Sequence, residues 1–162
     1  MSRAPLLALA LVAALACAGA PPPSLSEGRP PARLRGLDFS ARLDADHATP
    51  TRLAGEVRVA NRGGTPETLV FADGCPVRLR VYEAHGERMA PVWEGPRDCP
   101  VDPVALAIAV GDAATLPIPA ADAGEILQAE LPDGTYRVTI WLAPENRVIE
   151  IEAGEIELRT SG

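Results

Sequence analysis

From residue 53 onward, apolar and polar residues alternate with a period of two. Val57 and Val59 share one face, with Glu56 and Arg58 on the other, and Asn61-Arg62-Gly63-Gly64 follows as a turn. Leu69 and Phe71 alternate up to Asp73-Gly74. Val77, Leu79 and Val81 then point one way, and Arg78, Arg80 and Tyr82 the other. Residues 104–110 (VALAIAV) are more continuously apolar, and Leu116 and Ile118 alternate after Gly111-Asp112. The clearest run is 135–142. Tyr136, Val138, Ile140 and Leu142 take one face and Arg137, Thr139 and Trp141 the other, after a Pro132-Asp133-Gly134 turn. Residues 147–152 and 155–159 read as two last strands separated by Ala153-Gly154. A helical period is confined to a short candidate at 121–129 (ADAGEILQA). Seven to nine short strands with turn signals between them predict an all-β fold, an antiparallel Ig-like β-sandwich over residues 36–160.

The first 35 residues break this pattern. Residues 5–16 (PLLALALVAALA) are an apolar run behind Arg3, of signal-peptide length and short of the ~20 residues needed to span a bilayer. The run ends on Ala14-Leu15-Ala16-Cys17, which fits a bacterial lipobox, so residues 1–16 read as a signal peptide and Cys17 as a lipidation site. Ala18-Gly19-Ala20 offers an ordinary signal-peptidase site instead. Five of the seventeen prolines fall in residues 20–35. Residues 17–35 therefore read as a lipidated cysteine and a Pro-rich tether. In polyproline II such a segment would reach on the order of 50 Å. This order places the protein outside the cytoplasm on a bacterial membrane. Ala18 stands where lipoproteins of diderm bacteria, which this N-terminus resembles, often carry an inner-membrane aspartate, so the expectation is the outer membrane. A secreted or periplasmic product follows if Cys17 is not lipidated.

Composition narrows the partners. All fifteen basic residues are arginine, and the formal charge is −7. Removing Arg3 with the signal leaves 14 arginines against 22 acidic residues. An acidic domain with no basic stripe is a poor nucleic-acid binder. The absence of lysine excludes Schiff-base chemistry on a lysine and Ser-Lys chemistry. With Cys17 assigned to lipid, Cys75 and Cys99 form an even pair in an oxidising compartment, which predicts a disulfide. Closing a loop of that length stabilises by about 3 kcal/mol in the chain-entropy model.

Several segments together resemble the BsuPI-type domain, an Ig-like family named after an intracellular proteinase inhibitor. They are VRVANRGGTPETLVF at 57–71, Val92-Trp93, the Gly111-Asp112 turn into 113–118, and Leu131-Pro-Asp-Gly-Thr-Tyr-Arg-Val138 followed by Trp141-Leu142. The resemblance covers Leu53 to Leu142 and implies the Ig-like fold, with protease inhibition as a possible activity. No residue of a reactive loop carries across, and Cys75 and Cys99 bracket a region where the family has a plain hairpin.

No catalytic constellation stands out. His47 and His85 lack partners at metal-ligand spacing, and Asp44, Asp46 and His47 read as a polar strand end rather than a calcium loop. Ser40 has no G-x-S-x-G context. Paired distant carboxylates remain a route to hydrolysis. The glutamates at 150, 152, 155 and 157 read as a solvated face or a protected edge. Trp93, Arg97 and Asp98 in WEGPRDC form the candidate interface, because Trp and Arg are common at binding hot spots; the alternative is Trp93 in the core and the rest a closed loop. The expectation is thus a non-catalytic envelope lipoprotein, a binding module with no cofactor or metal. It would contact the membrane through its lipid and an envelope protein through a loop or strand edge. The alternatives are a BsuPI-type inhibitor and a carboxylate-dependent enzyme.

Overall fold

A computed structural model describes residues 32–85, 90–128, 130–145 and 147–160. The segment read as a signal peptide, Cys17 and most of the segment read as a tether lie outside the described residues. The elements are β1 (Ala32–Leu34), β2 (Leu37–Asp46), β3 (Arg52–Asn61), β4 (Glu67–Phe71), β5 (Arg78–Glu83) and β6 (Trp93–Gly95). They continue with β7 (Val104–Ile108), β8 (Ala113–Asp122), α1 (Ala123–Leu127), β9 (Gly134–Leu142) and β10 (Ile149–Leu158). One antiparallel sheet has the order β1-β2-β3-β8, the other β10-β9-β5-β6, and β4 pairs with β7 in a two-stranded ribbon. This is the antiparallel sandwich that the alternation predicts, with the strand order of an Ig-like fold. The last residues of the segment read as tether, 32–34, are the strand β1.

The core fills the gap between the sheets. Leu37, Phe39, Leu43, Val57 and Val59 reach in from one sheet, and Leu79, Val81, Val138 and Ile140 from the other; all are fully or almost fully buried. The register shifts at two places, and each is a bulge. In β10, Ile149, Ile151 and Ala153 are buried at odd positions, and Ile156 and Leu158 at even ones. One extra residue between Glu152 and Gly154 absorbs the change of parity, and Gly154 takes φ 125°, a backbone region that favours glycine. Residues 147–152 and 155–159 are therefore not two strands across a turn. They belong to one bent strand. In β8 the buried positions shift from Leu116 and Ile118 to Ala121, across the irregularity between Leu53 and Gly55 of β3.

The ends of the sandwich are tied by polar groups. Asn61 is buried and satisfied: Nδ2 donates to the carbonyls of Thr65 (2.8 Å) and Ile108 (3.1 Å), and Oδ1 accepts from the Gly63 N–H (2.9 Å). It thereby fixes the Asn-Arg-Gly-Gly turn and joins it to β7. The helix is a single turn. Asp122 caps it by accepting the Glu125 N–H at 2.9 Å, and Ile126 and Leu127 plug the end of the core. After it, the Tyr136 hydroxyl donates to the Pro132 carbonyl at 2.6 Å, the tyrosine corner of Ig-like domains. Burial raises the pKa of this phenol, with the charges of Glu83 and Asp133 adding to the shift.

Two outcomes follow for Tyr136. Tyr136→Phe should cost about 1 kcal/mol in denaturant unfolding, the net worth of one such hydrogen bond. Because the folded pKa is raised, the phenol's contribution is whole below its ordinary value of 10.0 and is lost as pH rises through the folded value. The Phe variant should therefore lose less stability than the parent above pH 10.0, read from melting temperature against pH.

Candidate functional site

The outward residues of β5, β6 and β9 form a connected polar and aromatic face. Registry builds it: Arg78 lies opposite Trp141, Arg80 opposite Thr139, and Tyr82 opposite Arg137. On the far side Arg80 pairs with Glu94. The Arg80 guanidinium stacks over the Trp141 ring, 4.2 Å from its centroid, and its Nε donates to Glu94 Oε2 at 2.8 Å. Arg78 donates to Asp73 Oδ2 at 2.6 Å and lies 3.6 Å from Glu94 Oε1. Arg137 sits over Tyr82 at 4.7 Å. The arginine heads at 78 and 80 are 23% exposed, so they are held against the sheet and desolvated more than ordinary surface arginines. Thr139 Oγ1 and Trp141 Nε1 are buried without a hydrogen-bond partner among the described residues, and Thr139 is the cross-strand neighbour of Arg80.

At one end of this face is the disulfide. Cys75 and Cys99 are bonded, with Cα atoms 5.5 Å apart, as the cysteine count predicts. The bridge fixes the chain after β6 to the chain before β5. Asp73 reinforces it by accepting the Cys75 N–H at 2.9 Å. Between the disulfide and the sheet lies a cleft of about 290 Å³, lined by Phe71, Asp73, Cys75, Arg78, Glu94 and Trp141 among others. Asp73, Cys75 and Cys99 are the one trio of His, Cys or acidic ligand atoms grouped among the described residues. Their atoms are already engaged: both sulfurs in the bridge, and the carboxylate with Arg78 and the Cys75 amide.

The residues expected at an interface divide. Trp93 is 3% exposed and points into the core, where its indole lies against Gly95; a Cβ at Gly95 would overlap the ring. Trp93 is thus a core residue that faces away from solvent. Arg97 and Asp98 are exposed in the loop after β6, beside the disulfide. Asp44 is paired with Arg42 at 3.1 Å, and Asp46 accepts the Ala48 N–H at 3.0 Å, so both carboxylates shape the end of β2. His47, His85 and Ser40 are exposed and apart. Glu150, Glu152, Glu155 and Glu157 are exposed on the outer side of β10, next to the arginine face. Sequence reasoning marked Arg78, Arg80 and Trp141 as outward but did not join them. The missing step was to pair the 78–83 strand with the 134–142 strand, which two adjacent outward rows of Arg and aromatic residues support.

No family model matches the chain, and no curated protein matches it. Among solved structures, a β-glucosidase from Listeria innocua in complex with glucose is similar over 72% of this chain and 16% of its own, at 14% identity and a TM-score of 0.38. A β-glucosidase from Kluyveromyces marxianus is similar over 75% of this chain and 15% of its own, at 17% identity and a TM-score of 0.39. The chain thus spans about a sixth of the length of these enzymes, and neither likeness bears on its activity.

Two measurements check the assignments of core and face. Trp93→Ala should lose about 3–5 kcal/mol of folding stability, the cost of emptying a large aromatic site. A double-mutant cycle between Arg80→Ala and Trp141→Leu should return a coupling of about 0.5–2 kcal/mol in chemical denaturation, as expected for a partly desolvated cation over a ring.

Proposed function

We propose that this protein is a non-catalytic envelope lipoprotein, a binding module held on a membrane by a lipid at Cys17 and a proline-rich tether. The observation that carries the reading is the face of Arg78, Arg80, Glu94 and Trp141. Arginine and tryptophan are enriched where binding energy concentrates. Here each head group is already held by a neighbour, so little rotamer entropy remains to be lost on contact with a partner. The adjoining loop offers Arg97 and Asp98 as exposed polar contacts at its rim. The partner is an envelope protein with acidic and hydrogen-bonding groups opposite the arginines. The disulfide supports an extracytoplasmic setting, since such bonds persist in oxidising compartments.

A second reading is protease inhibition, favoured by one feature beyond the BsuPI resemblance. The segment 96–103 is an exposed loop closed at Cys99 by the disulfide, and Val101 stands 87% exposed on it. An extended loop held at its base is the form a protease can bind without unfolding its ligand. A screen against serine, cysteine, aspartic and metalloproteases separates the readings. Inhibition that vanishes in Val101→Asp supports the inhibitor, and no inhibition in any class removes it.

Cys17→Ser should move the protein from the membrane fraction to the soluble periplasmic or secreted fraction. A photo-cross-linking residue at Arg97 should give a discrete adduct in cells that is lost in Arg80→Ala. Retention in the membrane by the serine variant would remove the lipid anchor, and an adduct indifferent to Arg80→Ala would remove the face.

A further inference from the structure

The continuously apolar segment 104–110 has no part in the arginine face. Among the described residues its strand β7 is paired on one side only, to β4. The direction of its free backbone groups follows from the ladder. Val70 spends its carbonyl on the Glu145 N–H at 2.8 Å, away from β7. Val70 lies opposite Ala105, so that pair is a non-hydrogen-bonded one, and by alternation so is Thr68 with Ala107. The N–H and C=O groups of Ala105 and Ala107 therefore point away from β4, to the open edge. Both residues are exposed. Leu106, in the alternate position, turns its backbone groups inward to Leu69.

Two of the other edges of the sandwich are guarded. On the edge strand β8, Pro117 and Pro119 lack N–H groups, and β10 carries four exposed glutamates. In β7 there is neither proline nor charge, and in β4 the one charged residue is Glu67. An open edge of this kind is a template for another strand.

We propose that β7 is a self-pairing edge, joining two copies of this chain antiparallel about a twofold axis at Leu106. In that register Ala105 of one copy lies opposite Ala107 of the other, twice by symmetry, so all the outward backbone groups of both residues are matched. Leu106 meets its own copy, and Val104 meets Ile108. Side chains fall on matching faces, with the small alanines together on the outer side. Continued outward, the register sets Asp102 opposite Val110 and Asp112 opposite Pro100, so no acid meets an acid although the chain is acidic overall. An isologous contact of this kind closes as a dimer and does not propagate. The proline runs of the tether, 21–23 and 30–31, cannot add to the edge because they lack the amides it needs. A pairing of two five-residue strands is well below a standard interface, so the dimer is weak and concentration-dependent.

The test is sedimentation velocity of the purified full chain over a concentration series, with amide exchange on the same samples. A monomer–dimer equilibrium is expected, in which exchange at Ala105 and Ala107 slows as concentration rises while Leu106 stays unchanged. Ala105→Glu with Ala107→Glu places like charges opposite each other and should weaken dimerisation about tenfold. Ala105→Lys with Ala107→Glu pairs opposite charges in the same register and should restore it. Both sites are exposed, so an unchanged melting temperature of the monomer accompanies each variant. A chain that stays monomeric throughout overturns the proposal. So does a dimer indifferent to both double variants. Protection at Ala105 and Ala107 that is independent of concentration also overturns it, and means that another segment or strand already occupies the edge.

Discussion

The gap between the two sheets must be filled from both sides by side chains of one parity along every strand. A strand out of phase would bury its charged row and expose its apolar one. In this chain two of the ten-residue strands, β8 and β10, meet that demand only with an interruption. Ala153-Gly154 in β10 and residues 119–120 in β8 each supply one residue that lets the apolar set change parity, from odd to even in β10 and from even to odd in β8, and still face the core. The positive φ of Gly154 is where the local backbone accommodates this. Remove the bulge, and Ile156 and Leu158 would turn to water while Glu155 and Glu157 turned inward. The tie at Asn61, the helix plug and the tyrosine corner all assume that this register is kept.

Much of this was legible in the sequence, since alternation is a local property. The strands at 52–61, 78–83 and 134–142 and the disulfide follow from residue spacing and cysteine count. Residues 153–154 were misread because Ala-Gly is also a turn signal. Without knowledge of the neighbouring strand, a change of parity and a change of strand look alike. Trp93 stays divided between core and interface in the sequence, because tryptophan serves both. What decides is the alternation of Trp93, Glu94 and Gly95, with Glu94 outward and the ring folded onto the glycine. The arginine face was legible only in pieces, because its members come from three strands and meet through nonlocal pairing.

That face also shows how an outward row can be solvent-side and yet ordered. Arg80 has a ring beneath it and a carboxylate beside it, and Arg78 lies between Asp73 and Glu94. Individually such contacts are modest. Linked, they hold several long side chains in one arrangement. The disulfide adds to this by fixing the backbone that carries Asp73.

The bridge between Cys75 and Cys99 encloses the whole of β5 and β6, with 24 residues of sequence separation between its ends. Any single break in the main chain between those cysteines leaves one covalent molecule, because the severed halves stay joined through sulfur. Each half also keeps partners in the sheet, β5 beside β9 and β6 beside β5. A hydrolytic cut in the stretch that links these strands would thus add only a water to the mass and release no fragment until the disulfide is reduced. As long as the disulfide stays oxidised, the domain can outlive a cut in its own backbone.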